Sequence, residues 1–113
     1  MVQSAATDAV FHALSNPTRR KVIERLSAGP ATVSELAAPF DMQLPSFVQH
    51  LSILEESRLV KSKKHGRVRT YEIAPERFEV VEDWLTARRK LWESRLDRFD
   101  DYVKQLKKKE SAS

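Results

Sequence analysis

The sequence predicts a mainly α-helical fold with one small β-hairpin: a winged helix-turn-helix followed by a long C-terminal helix. Three stretches predict it. Residues 33–57 read as a short helix, a tight turn and a second helix with one apolar face. Residues 60–73 read as two strands joined at His65-Gly66-Arg67, with five basic and no acidic residues between Lys61 and Arg69. From Glu76 to Lys108, apolar residues return every three or four positions. The expected organisation is a winged domain over 7–74, a dimerisation helix over 75–108, and flexible tails at 1–6 and 109–113.

The elements follow in order from local signals. Thr7 or Asp8 can cap a first helix on which Val10, Phe11 and Leu14 keep helical spacing. Asn16-Pro17 marks a new start, because Asn is a favoured N-cap and Pro suits the first helical position. The helix over 18–27 buries Val22, Ile23 and Leu26, and Gly29-Pro30 ends it. Thr32 and Glu35 stand at the spacing of a capping box. Pro39 stops that helix early, and Asp41-Met42 supplies the turn. The next helix, about 44–57, places Leu44, Phe47, Val48, Leu51 and Leu54 on a core face and Ser46, Gln49, His50 and Ile53 opposite. Gly66 gives the hairpin tip its permissive backbone. Val60, Val68, Tyr71 and Ile73 are expected to face the body and the basic residues solvent. In the last segment, a break near Asp83 is possible.

Composition bounds the function. The chain has 113 residues, 32% charged and 41% hydrophobic, and a formal net charge of +4. That is one globular domain by length and composition. No apolar run approaches the roughly 18 residues of a membrane span, and the N-terminus lacks a signal-sequence pattern. Cysteine is absent, which excludes disulfides, thiolate metal sites and thiol redox sensing. An intracellular, cytoplasmic location is expected. Residues 1–40 carry four basic and three acidic residues, and 75–113 carry ten and nine, so both are near balance. The charge asymmetry sits on the hairpin. A cationic cluster on one ribbon is a polyanion footprint, or else a lysine-protected edge.

A helix of this kind fits the major groove, with residues near its N-terminal end at the base edges. Gln43, Ser46, Gln49 and His50 are the candidates. Glutamine pairs bidentately with adenine, serine donates or accepts, and histidine donates to guanine or phosphate. Gln43 as a simple helix start and His50 as a half-buried spacer are the duller readings. On the wing, Lys63, Lys64, His65, Arg67 and Arg69 can neutralise phosphates, and Arg67, nearest the tip, is the preferred groove contact. Strand alternation forbids all five from pointing one way. Arg19, in the first turn of its helix, is expected either to hold a phosphate or to pair with a carboxylate.

Phe11, Leu14, Trp84, Leu85, Trp92, Leu96, Phe99 and Tyr102 form the expected dimerisation set. From Trp84 to Leu106 the apolar stripe runs about 35 Å, more than so small a domain covers. A second copy is the economical partner; a helix folded back on its own domain is the alternative.

With these motifs assembled, the chain resembles the ArsR/SmtB family of winged-helix repressors. Leu14-Ser15-Asn16-Pro17-Thr18-Arg19-Arg20 is close to that family's opening, and Pro45-Ser46-Phe47-Val48-Gln49-His50-Leu51 to its P-A-V-S-x-H-L recognition helix. Glu55-Glu56-Ser57-Arg58-Leu59-Val60 resembles its E-x-G-L-V exit, and Gly66-Arg67 its wing tip. The helix with Trp84 and Trp92-Glu93-Ser94-Arg95-Leu96-Asp97 resembles the C-terminal extension of a metal-free branch. The resemblance implies a homodimeric repressor of double-stranded DNA with a palindromic operator, released by an effector. A small-molecule effector would fit beside Trp84 and Trp92, where dimer packing is the simpler use of the rings. The family's metal sensors carry paired cysteines, or Asp, His and Glu ligands on the last helix. Here the first helix of the motif reads SELAAPF and no His follows His65, so no metal or cofactor is expected. Ser or Thr is common in the family where Gln43 and Val48 stand, so its base contacts do not transfer to those two positions.

Catalysis is not expected. His12, His50 and His65 lie in three different elements, and Gly29 and Gly66 cannot build a phosphate loop. Asp97, Asp100 and Asp101 share a helix with Arg95, Arg98 and Lys104, which ion pairing explains. The competing reading is a winged helix used as a protein-interaction module, docking through its C-terminal helix. That surface would carry more aromatic and aliphatic anchors at the reader face than Ser46, Gln49 and His50 supply.

Overall fold

The computed structural model describes residues 2–112. Eight elements follow the chain: α1 (Val2–Leu14), α2 (Pro17–Leu26), β1 (Ala31–Thr32), α3 (Val33–Ala37), α4 (Leu44–Glu56), β2 (Val60–His65), β3 (Val68–Ile73) and α5 (Glu76–Ala112). The stretches expected as tails are helical as far as Val2 and Ala112, and Met1 and Ser113 lie outside the described residues. α5 has no break at Asp83. The chain divides into two compact units at Val81/Glu82. This boundary lies beyond the expected one at residue 74 because Phe78 and Val81, in the first turns of α5, pack against the core.

The first helix, expected to be capped at Thr7 or Asp8, begins instead at Val2, whereas the starts of α2 and α3 follow the sequence closely. Asn16 Oδ1 accepts from the Arg19 amide at 3.2 Å, with Pro17 at the first helical position. Thr32 and Glu35 form the complete capping box, with both reciprocal bonds at 3.2 Å. The Thr32 amide, the Thr32 hydroxyl, which donates to Glu35 Oε1 at 3.0 Å, and Arg25 at 3.6 Å hold the Glu35 carboxyl below its usual value. A two-residue strand absent from the sequence reading, β1, pairs antiparallel with β3, so the sheet has the order β1-β3-β2. The core closes where α1, α2, α3 and α4 meet this sheet. Val10, Phe47, Leu51, Leu54 and Leu59 are fully buried there, and Phe40 meets Phe47 with ring centroids 5.4 Å apart.

Three apolar expectations fail on α4, and one of them is Ile53, expected opposite the core but packed against it. Leu44 is 55% exposed and Val48 40%. Val48 lies at the edge of the face centred on Phe47, Leu51 and Leu54, and Leu44, on the same stripe one heptad before Leu51, is the first residue of the helix, beyond the reach of the core. Val68 is also out in solvent at 51%. It stands opposite His65, one register step off the face that buries Tyr71, so alternation turns it outward.

The exit from α4 is a Schellman motif. Leu59 N–H donates to the Leu54 carbonyl at 3.2 Å and Arg58 N–H to the Glu55 carbonyl at 3.0 Å, the bonding pattern of that motif. The residue between helix and strand, Arg58, carries φ +64°. An L-residue pays for the left-handed conformation that glycine adopts freely. Arg58→Gly is therefore expected to stabilise the fold by about 0.5–1 kcal/mol, read as a higher denaturant midpoint at unchanged slope. At the other turn, Gly66 carries φ +61° while Arg67 is not in the positive-φ region. This is the type II′ pattern suited to a two-residue hairpin loop.

Candidate nucleic-acid interface

The unit formed by residues 2–81 contains the helix-turn-helix and the wing together. On α4, the core face leaves Pro45, Ser46, Gln49 and Ser52 exposed, with Val48 and half-buried His50 on the two flanks. Gln43 is exposed and serves as the N-cap of α4 without a side-chain capping bond, which leaves its amide available. Ser52 is absent from the sequence candidates, although it lies one turn beyond Gln49 and the 3.6-residue period could have found it. Exposed Val48 adds a methyl surface of the kind that meets thymine.

The wing has two chemically different faces. Ser62 stands opposite Tyr71, and Lys64 opposite Arg69, so these four share one face. Ser62 Oγ donates to Glu55 Oε1 of α4 at 2.7 Å and accepts from Arg69 Nη1 at 2.7 Å. A continuous chain of hydrogen bonds thus ties the wing to the end of α4. Burial and the nearby Glu55 carboxylate raise the Tyr71 phenol. Lys63 and His65 occupy the opposite strand face, and Arg67 lies in the tip loop; all are exposed. Lys61 pairs with Glu72 at 3.7 Å.

Arg19 does not join this surface. Expected as a phosphate contact or a carboxylate partner, it is 6% exposed. Its Nε donates to the Ala13 carbonyl at 2.7 Å, Nη2 to the His12 carbonyl at 3.0 Å, and Nη1 lies 3.0 Å from His50 Nδ1. The cation sits at the carbonyl end of α1, where the helix dipole favours it. Arg20 likewise reaches a carbonyl, that of Leu14, at 2.7 Å.

Partial burial, and then Arg19, lower the His50 imidazole below its ordinary 6.5. The unfolded ring therefore takes up a proton first as pH falls, so its contribution to stability is full above about pH 6.5 and is lost below it. The stability difference between wild type and His50→Gln is expected to hold constant from pH 8 to 7 and shrink below 6.5. Denaturant midpoints across that range check it.

Of the dimerisation set, Leu14 packs against the core of its own unit and Phe11 is 38% exposed. In the second unit, Leu85, Trp92, Leu96, Phe99 and Tyr102 are each more than half exposed. Trp84 is 37% exposed and carries the Arg88 guanidinium 4.5 Å from its ring centroid. Among the described residues no cluster of three metal-ligating side chains occurs, and no helix is long and apolar enough to cross a membrane.

Comparison with known proteins places this geometry. A helix-turn-helix domain model matches residues 14–63. The crystal structure of an ArsR family transcriptional regulator superposes with a TM-score of 0.78 at 54% identity, covering 80% of this chain and 94% of that one. The chain belongs to the ArsR family of transcriptional regulators. A second ArsR-like regulator, from Rhodococcus sp. RHA1, has a TM-score of 0.73 at 26% identity, covering 88% of this chain and 93% of its own. The transcriptional repressor SdpR of Bacillus subtilis is 30% identical over 76 residues, which are 67% of this chain and 84% of that protein. An HTH-type transcriptional regulator of Mycobacterium tuberculosis is 40% identical over 68 residues, 60% of this chain; the match spans 64% of that relative's length. The ArsR-family fold accounts for the winged unit and for the long helix that follows it.

Proposed function

We propose that this ArsR-family protein is a non-enzymatic, cytoplasmic repressor that binds a palindromic operator as a homodimer. The observation that carries the reading is the joining of two surfaces within one unit. The polar face of α4 (Ser46, Gln49, Ser52) and the cationic wing (Lys64, Arg69 and tip Arg67) are linked through Glu55 and Ser62. Base reading is assigned to Gln43, Ser46 and Gln49, and phosphate or minor-groove contact to Lys63, Lys64, His65, Arg67 and Arg69.

The dimer reading rests on the spacing within α5. Leu85, Trp92, Phe99 and Leu106 recur every seven residues, with Leu96 and Val103 between them in alternating steps of four and three. That is the seam of a two-helix coiled coil. Arg89 interrupts it, with Glu93 Oε1 3.8 Å from its Nε. A homodimer would present two readers to a two-fold operator. Release by a small-molecule effector is part of the reading, with Trp84 and Trp92 as its candidate contacts.

The test is binding to the DNA upstream of its own gene, titrated against salt beside a scrambled duplex. Specific binding about a thousandfold tighter, with a log–log slope near −0.9 per phosphate contacted, is expected. Equal weak binding to both duplexes would count against an autoregulatory operator. Within this reading, Arg67→Ala should weaken binding to every sequence and flatten the salt slope by about one. Gln49→Ala should instead cost about 1–3 kcal/mol on the operator alone. Parallel losses on both duplexes would remove Gln49 from base readout.

A further inference from the structure

Arg19 is buried, yet it touches the reader. Its guanidinium has hydrogen-bond donors only and no acceptor. The nitrogen it meets, His50 Nδ1 at 3.0 Å, must therefore present a lone pair. The ring proton is then on Nε2. Arg19 is the ring's hydrogen-bond partner among the described residues, and no buried side-chain polar atom there goes without one, so Nε2 opens to solvent. His50 lies on the flank of α4 one turn from Ser46, beside the surface assigned to DNA.

We propose that Arg19 is a positioning residue that fixes His50 as a neutral ring whose Nε2–H donates to a hydrogen-bond acceptor on DNA. The proposal rests on the DNA-binding reading and adds a polarity to it. A ring free to change tautomer could offer either a donor or an acceptor, whereas a clamped one offers a donor alone. It can meet a phosphate oxygen, guanine O6 or N7, adenine N7 or thymine O4, and it discriminates against the cytosine amino group. The guanidinium is itself anchored on the His12 and Ala13 carbonyls, so the donor's direction is set by α1 and α2 as well as by α4.

Nitrogen-15 NMR of the imidazoles in the free full-length protein reads the tautomer directly, independent of any DNA. One ring should show unprotonated Nδ1 and protonated Nε2 at pH 7.5, and its signals should vanish in His50→Asn. A protonated Nδ1 on that ring would overturn the proposal. Arg19→Lys should let the tautomers mix, and an unchanged pattern would show that Arg19 does not set it. Two His50 variants carry the DNA arm, and they keep the test alive should Arg19→Lys not fold. Asn keeps an acceptor near the Nδ1 position but no donor at Nε2, so His50→Asn should bind the operator at least about tenfold more weakly at little change in stability. Gln extends an amide donor to the Nε2 position, so His50→Gln should bind within a few-fold of wild type. Equal affinity of the Asn variant and wild type would overturn the DNA contact. A loss shared by operator and scrambled duplex would identify the acceptor as phosphate, and a loss on the operator alone as a base edge. Failure of wild type itself to bind any duplex would overturn the DNA reading together with this contact, while the tautomer measurement would still report on the clamp.

Discussion

Replacing Trp92 and Phe99 together with glutamate is expected to halve the mass in solution and weaken operator binding by about 10²–10⁴-fold. In the proposed dimer, two readers joined through α5 would bind the second half-site as an intramolecular event, and the factor lost is the effective concentration that the junction provides. The two rings stand one heptad apart, at 57% and 62% exposure. In the proposed dimer, facing glutamates would place like charges across the apolar seam. Since neither ring belongs to the buried core of the winged unit, melting of that unit should change little. Sedimentation and a binding isotherm on the same samples check both halves of the expectation. An unchanged mass would remove these residues from the interface.

The second large effect is on folding. Phe47→Ala should destabilise the winged unit by about 3–5 kcal/mol, a large share of the roughly 5–15 kcal/mol that holds a domain together. Phe47 is 0% exposed and meets the Phe40 ring at 5.4 Å. Truncation opens a cavity beneath the middle of α4, the helix that carries Ser46, Gln49 and His50. Chemical denaturation should show the lower midpoint. A loss under 1 kcal/mol would mean that the core repacks around the gap.

What the sequence made legible was whatever local chemistry dictates. The Asn16-Pro17 start, the Thr32–Glu35 capping box, the Pro39 stop and the Gly66 tip are short-range signals, and each appears in the structure at its expected place. The long helix was legible from its period, except that no signal marks where it leaves the winged core. β1 was not legible, since two residues become a strand only by lying against β3. Leu44 and Val48 look apolar and helical, and only the finished packing shows that the core ends short of them. Arg19 is the sharpest case. A basic residue at a helix start reads as surface charge until the fold brings two carbonyls and an imidazole to it. Arg58 similarly hides its left-handed backbone behind an ordinary side chain.

The strand order β1-β3-β2 puts β3 in the centre and leaves one side of β2 as a sheet margin. Along it run Lys61, Lys63 and Lys64, all exposed. An open margin invites another strand to add to it, and a row of lysines is how such margins are kept single. On the proposed reading, Lys63 and Lys64 therefore serve two ends in one molecule: attraction toward a phosphate chain and repulsion between neighbouring copies at high concentration. Stripping the charge from the wing to abolish DNA binding would also remove its protection against self-association. An inactive variant that stays in solution is better obtained by reversing these charges to glutamate than by erasing them.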